Sequence, residues 1–264
     1  MSKTMNINEE LNGKLKEIIN ELEEVFSEEG DCTEIFENIP EELWRDRYCS
    51  LSLIGTIFEN ASYFDGYYAP CEFIPDYFWD DFNNAIAAIR YIGDDSSKFN
   101  INEIFPNRFF SVKVLLKEIV EYNYDGLYYA SKELKADSLI ILAALYSLEE
   151  KIELRNEECS CNWNLLPFEA REELEELFKL VSDTLKSNKE FILEFLEHDY
   201  FIDEFDVLYK WIDKELWKDQ DFVIEVLNID INAVEYIDDS LISNEEFVEK
   251  VVEETDLDIE DIKR

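Results

Sequence analysis

The segment LWKDQDFVIEVL, residues 216–227, holds a large apolar residue, two variable residues, an Asp, two more residues, an apolar pair and a further apolar residue three positions on. The same pattern recurs as LWRDRYCSLSL from Leu43, FWDDFNNAIAAI from Phe78, FFSVKVLLKEI from Phe109, LKADSLIILAAL from Leu134, LKSNKEFILEFL from Leu185 and LISNEEFVEKVV from Leu241. One pattern recurring along a chain is the sequence signature of stacked units, each too small to bury its apolar face alone. Most steps have the length of a helix pair. The long step from Leu134 to Leu185 carries an insertion containing CSCNWNLLPFEAREELEELF.

Each motif reads as a helix start. Asp46, Asp81, Asp137, Asn188, Asp219 and Asn244 stand where a side-chain oxygen can accept from the orphan amides of a first turn, and in the third motif Ser111 is expected to take that role. The leading apolar residue lies ahead of the cap, placed to pack on the first turn. Apolar residues then follow down one face, as in Phe222, Val223 and Val226. Pro40, Pro75 and Pro106 stand three residues before Leu43, Phe78 and Phe109, where they break the chain between helices.

With 6 Gly and 5 Pro in 264 residues, and runs such as EELNGKLKEIINELEEVF, the chain reads as all-α. The stretch YDGLYYASKELKADSLIILAAL, from Tyr124 to Leu145, resembles the repeats of a bacterial and viral family of tandem helical units whose function is unknown, and the motifs from Leu216 and Leu241 resemble it more loosely. That resemblance implies architecture alone and brings no active site. The expected fold is a set of tandem helix-pair repeats forming an α-solenoid or a solenoid-like helical bundle. A break in periodicity at EEKIELRNEECSCNWN divides an N-terminal helical-repeat region, 1–150, from a C-terminal acidic one, 151–264.

The outlying quantity is charge: 64 Asp and Glu against 24 Lys and Arg, a net −40. Solubility asks far less of a chain this size, and self-repulsion of this order opposes compactness. Its partners are therefore expected to be cationic proteins, not nucleic acid or an anionic membrane. Cys32, Cys49, Cys71, Cys159 and Cys161 are odd in number and read as reduced thiols of a cytoplasmic protein. The N-terminal MSKTMNINEELNGKLKE lacks a signal-peptide core, and the apolar run from Leu139 to Leu148 is too short to span a bilayer.

Enzyme chemistry finds little to work with. The scattered glycines build neither GxGxxG nor a phosphate loop. His198 is the one histidine and has no neighbouring Cys for a nucleophilic pair. Cys159 and Cys161 are too close for the usual zinc spacing and lack a second ligand pair. Asp256, Asp258 and Glu260 alternate without the Gly and distal Glu of a calcium loop. No cofactor and no metal are expected. Trp44, Trp79, Trp217 and Phe110 follow the leading residues of their motifs and read as packing between units rather than a ligand-stacking row. YFDGYYAP, residues 63–70, offers Tyr67 and Tyr68 as interface anchors or as core.

The acid itself remains. From Glu197 to Arg264 there are 23 acidic and 6 basic residues. Helix layers about 8–10 Å apart would spread seven units over roughly 60–70 Å, and duplex DNA of that length carries about 35–40 phosphates at one per ~1.7 Å. The chain thus reads as a non-enzymatic nucleic-acid mimic that inhibits a basic nucleic-acid-binding protein or nuclease. In acidity alone it is similar to the anti-restriction and anti-CRISPR proteins of phages, which would place it in a host bacterial cytoplasm. The expected contact acids are Asp203, Glu204, Asp206, Asp213, Asp219, Asp221, Asp238, Asp239, Glu245 and Glu246. The alternative is a helical-repeat adaptor or immunity protein that uses a shaped groove with Tyr67 and Tyr68.

Overall fold

The computed structural model describes residues 2–28, 30, 32–60, 73–93, 100–159, 168–197, 206–255 and 257–262, and these are helical with no strand among them. The chain separates into two compact units, Met1–Tyr129 and Ala130–Arg264.

The first unit contains α1 (Ser2–Ser27), α2 (Thr33–Glu37), α3 (Glu41–Arg45), α4 (Arg47–Glu59), α5 (Asp76–Asp80), α6 (Phe82–Ile92), α7 (Ile101–Ile104), a 3-10 turn at Asn107–Ser111, α8 (Lys113–Val120) and α9 (Gly126–Tyr129). Helix α4 is its centre, packed against α1, α3 and α6, while α6 also packs on α8. Every residue from Leu53 to Phe58 is buried, so α4 has little polar face to offer. Its hydroxyls are satisfied internally: Thr56 Oγ1 donates to the Ser52 carbonyl at 3.1 Å. Gly55 lets a neighbour cross closely, because a Cβ there would lie 2.5 Å from the Tyr91 hydroxyl of α6.

The second unit opens with a 3-10 turn at Leu134–Ala136 and continues through α10 (Ser138–Cys159), α11 (Phe168–Leu180), α12 (Asp183–Lys186), α13 (Lys189–Leu196) and α14 (Asp206–Tyr209). A turn at Leu216–Lys218, α15 (Gln220–Ile229), a turn at Ile231–Tyr236, α16 (Asp239–Ile242), α17 (Glu245–Glu254) and α18 (Ile259–Ile262) complete it. Helices α13, α15 and α17 pack in succession. Residue 150, where the loss of periodicity suggested a boundary, lies within α10.

All seven motifs adopt one local geometry: a short helical turn, one extended residue, then a helix. The extended residue is always the third after the leading one, with φ between −80° and −109° and ψ between 107° and 121°. Its side chain accepts first-turn amides at Asp46 (Tyr48 and Cys49, both 3.0 Å), Asp81 (Asn83, 2.9 Å; Asn84, 3.0 Å), Asn188 (Phe191, 2.7 Å), Asp219 (Phe222, 2.8 Å) and Asn244 (Glu246, 3.1 Å). Asp137 takes the same backbone position ahead of α10.

The third motif corrects the expectation for Ser111. Ser111 ends the 3-10 turn, and Val112 is the extended residue, with no side-chain cap bond. The three-residue spacing is kept even where the capping chemistry is absent.

The residue three before each leading position has a second regularity. At the motifs from Leu185, Leu216 and Leu241 its amide reaches back to the previous motif: Ser182 donates to the Lys135 carbonyl at 3.1 Å, Asp213 to Lys186 at 3.1 Å and Asp238 to Trp217 at 3.3 Å. Each acceptor directly follows the leading residue of the earlier motif, so the register passes unchanged across the insertion after Leu134. In the first unit the same place is held by Pro40, Pro75 and Pro106, which have no N–H to donate. Their carbonyls still accept the amides of Leu43 (3.0 Å), Phe78 (2.9 Å) and Phe109 (2.9 Å).

Candidate partner-binding surface

Five of the expected contact residues lie where little or nothing is described. Asp203, Glu204, Tyr67 and Tyr68 fall outside the described residues, as do His198, Cys71, Cys161 and Asp256, and Asp206 opens α14 with only its backbone described. The other seven sit at or just before helix starts. Asp219 and Asp238 are N-caps of α15 and α16. Asp221, Asp239, Glu245 and Glu246 occupy first turns, and Asp213 accepts the Glu215 amide at 2.9 Å ahead of the turn at Leu216.

A helix N-terminus carries partial positive charge and orphan amides, so carboxylates there stabilise the fold whatever else they do. Asp238 shows this directly, since bonds from the hydroxyl and amide of Ser240 hold its carboxyl below the usual carboxylate range. Asp221 is held low as well, first by a hydrogen bond from Lys250, whose ammonium lies 3.1 Å away on α17. Asp239, Glu245 and Glu246 are exposed and cap nothing with their carboxylates.

Helix C-termini carry the opposite partial charge and disfavour acid. Glu253 and Glu254 nonetheless close α17, Glu24 lies in the last turn of α1 and Glu194 in that of α13, all exposed, and none of these turns has a basic residue. Sequence reasoning missed these positions because it chose acids near the motif caps. In α1 and α17 the signal is a pair of glutamates at the helix end, Glu23–Glu24 and Glu253–Glu254, with no Lys or Arg in the last turn, and Glu194 of α13 carries no such mark.

Much of the positive charge is drawn onto neighbouring acids and rings. Arg90 grips Glu118 through two bonds of 2.7 Å between α6 and α8. Arg108 bonds Asp80 at 3.0 Å, and Lys189 lies 3.1 Å from Glu225. Lys179 and Lys210 share Glu175 at 3.2 and 3.0 Å. Those two ammoniums and that of Lys186 stand 5.8, 5.7 and 5.5 Å from the Trp211 ring. Lys186 is buried, which pushes its pKa down.

The aromatic residues after the leading positions are core: Trp44, Trp79, Trp217 and Phe110 are each at most 5% exposed. Trp44 meets Phe78 edge-on at 6.1 Å and Trp79 meets Phe109 at 5.5 Å, so each touches the leading residue of the next motif. Among the described residues, no helix is long and apolar enough to cross a membrane. Comparison with family models, with curated proteins and with solved structures finds no match for this chain.

Proposed function

We propose that the chain is a non-enzymatic nucleic-acid mimic, a tandem-repeat polyanion that docks in the basic groove of a nucleic-acid-binding protein and competes with its substrate. In this reading the motifs stack as a solenoid-like array in the cytoplasm, where a phage-encoded protein would act against restriction or CRISPR defence. The observation that carries it is acid placed against the helix dipole, at Glu253 and Glu254 above all. Stability accounts for carboxylates at caps and first turns, whereas in the last turn of α17 the dipole works against Glu253 and Glu254, with Lys250 attracting Glu254 alone. A function that needs the field accounts for both.

The test separates charge from fold. Immobilised protein is exposed to nuclease-treated bacterial lysate and eluted by rising salt, then the experiment is repeated with Asp239, Glu245 and Glu246 all changed to Lys. These side chains cap nothing, so helicity should persist at the cost of their dipole stabilisation, as circular dichroism will verify. A basic nucleic-acid enzyme that elutes early in the gradient and is lost by the triple variant supports mimicry, because salt screens exposed charge. Capture that survives both high salt and the reversal refutes it, and favours an adaptor or immunity protein.

A further inference from the structure

The first unit contains a cleft of about 480 Å³ between the helices that flank the Pro40 and Pro75 breaks, a volume typical of sites that take a small group. Four aromatic rings line it. Phe36 and Phe73 stack with centroids 4.3 Å apart, Trp44 forms part of the wall, and Tyr77 stands at 38% exposure. Glu37 and Glu41 supply carboxylates to the same cleft. Rings and carboxylates together suit a cation: the ring faces attract positive charge and the acids pair with it.

The molecule already displays this chemistry with a group of its own. The Arg45 guanidinium sits 5.3 Å from the Tyr77 ring centroid, and its Nε donates to Glu41 Oε1 at 2.7 Å. Arg45 is two-thirds exposed and is held through Glu41, one turn away, and the Tyr77 ring, so this guanidinium remains displaceable. The Tyr77 phenol has its pKa raised, first by burial and then by the charge of Glu41, with Arg45 opposing.

We propose that this cleft receives the guanidinium of an arginine side chain presented by a basic partner, stacked on Tyr77 and paired with Glu41 in place of Arg45. Arginine suits it better than lysine, because a planar guanidinium both stacks on a ring and bonds a carboxylate through a fork. Phosphate-bearing ligands are opposed by the two carboxylates and by the net charge of −40. The proposal rests on the partner being basic, and it assigns that partner an anchor distinct from the exposed acids of the second unit.

The experiment uses the full chain with 15N-labelled tryptophan, reading the Trp44 indole resonance, assigned by its loss in Trp44→Phe. Nα-acetyl-arginine methylamide is titrated against its neutral citrulline analogue. A saturable shift with the arginine compound alone is expected. Tyr77→Leu and Glu41→Gln should each weaken it about two- to fivefold, the range of an exposed cation–π contact. Arg45→Gln should tighten it, while Lys117→Gln, the same charge change elsewhere, should not. Arg45 is exposed and Lys117 half-buried, and the ion pair each loses is with a carboxylate one turn away, so folding is spared. Equal response to citrulline, no response at all, or indifference to Tyr77→Leu and Arg45→Gln would overturn the proposal. The Asp239, Glu245 and Glu246 reversal should leave this titration unchanged, so failure of the cleft and failure of mimicry give different results.

Discussion

The cap at Asp46 tests whether the seven motifs are held by chemistry or by spacing. Its carboxylate accepts from the Tyr48 and Cys49 amides, both at 3.0 Å, at the start of the most buried helix of the first unit. Asp46→Ala removes the acceptor and leaves two first-turn amides to water, at a cost of about 1 kcal/mol within a range of about 0.5–2. Asp46→Asn keeps an acceptor oxygen in the geometry that Asn188 and Asn244 already use, and should lie within about 0.3 kcal/mol of the parent because Asn and Asp cap equally well. Val112→Asn runs the experiment in reverse at the uncapped start of α8. It gains a cap worth about 1 kcal/mol and gives up part of a valine that is 39% exposed, for a net gain of about 0.5 kcal/mol.

Urea unfolding followed by circular dichroism gives the stability differences. Amide exchange localises them, with Tyr48 and Cys49 exchanging faster in Asp46→Ala, and Val114 and Leu115 more slowly in Val112→Asn. The reasoning fails if Asp46→Asn is as destabilised as Asp46→Ala. Charge at residue 46 would then matter more than the cap.

Other perturbations probe single interactions. Tyr209→Phe removes a buried 2.6 Å bond from the phenol to Asp230 and should cost about 1.5–3 kcal/mol, the range for bonds to charged groups, read from the shift in urea midpoint. Cys49 has its pKa pushed up to about 11, first by burial and then by Asp46. Its thiol should resist maleimide at pH 8 until the protein unfolds, and stability should decline as pH rises from 9.0 through about 11, because the unfolded chain releases that proton first. Lys186→Met keeps the alkyl packing and discards a buried amine. Since burial lowers the Lys186 pKa, the penalty is full below its folded value and disappears as pH rises toward the unfolded one. The variant should therefore be more stable at neutral pH, with the advantage shrinking in alkaline urea titrations.

Helix starts were legible in the sequence because their cause is local. One extended residue follows a buried turn by three positions, and Asp or Asn marks it in six motifs. Ser111 was misjudged because capping chemistry was sought where spacing rules, and Val112 shows that a helix can start without it. The prolines read as chain breaks. That they stand where later motifs donate a backbone amide was invisible, since an acceptor such as Lys135 or Lys186 is identified only when chain segments far apart in sequence meet. The cleft around Tyr77 escaped notice for the same reason: Phe36, Glu41 and Tyr77 belong to three different helices or their flanks, and no spacing links them. Trp44, Trp79 and Trp217 were read as packing from their fixed place after the leading residue, and their burial agrees with it.

The caps also decide what the charge means. Asn188 and Asn244 hold their helices with dihedral angles close to those of Asp46, Asp81 and Asp219, so where a start motif is capped it uses an oxygen and needs no charge. Lys or Gln would serve a solvent-facing position as well as Glu. Glu253 and Glu254 face solvent in the last turn of α17, where the dipole opposes them. Changing both to Gln should therefore raise the urea midpoint modestly while weakening salt-sensitive capture of a basic partner. Opposite signs in the two assays are what a charge kept for binding produces. If both quantities rise, or if capture is untouched while stability rises, these acids serve no partner and the mimic reading loses its main support.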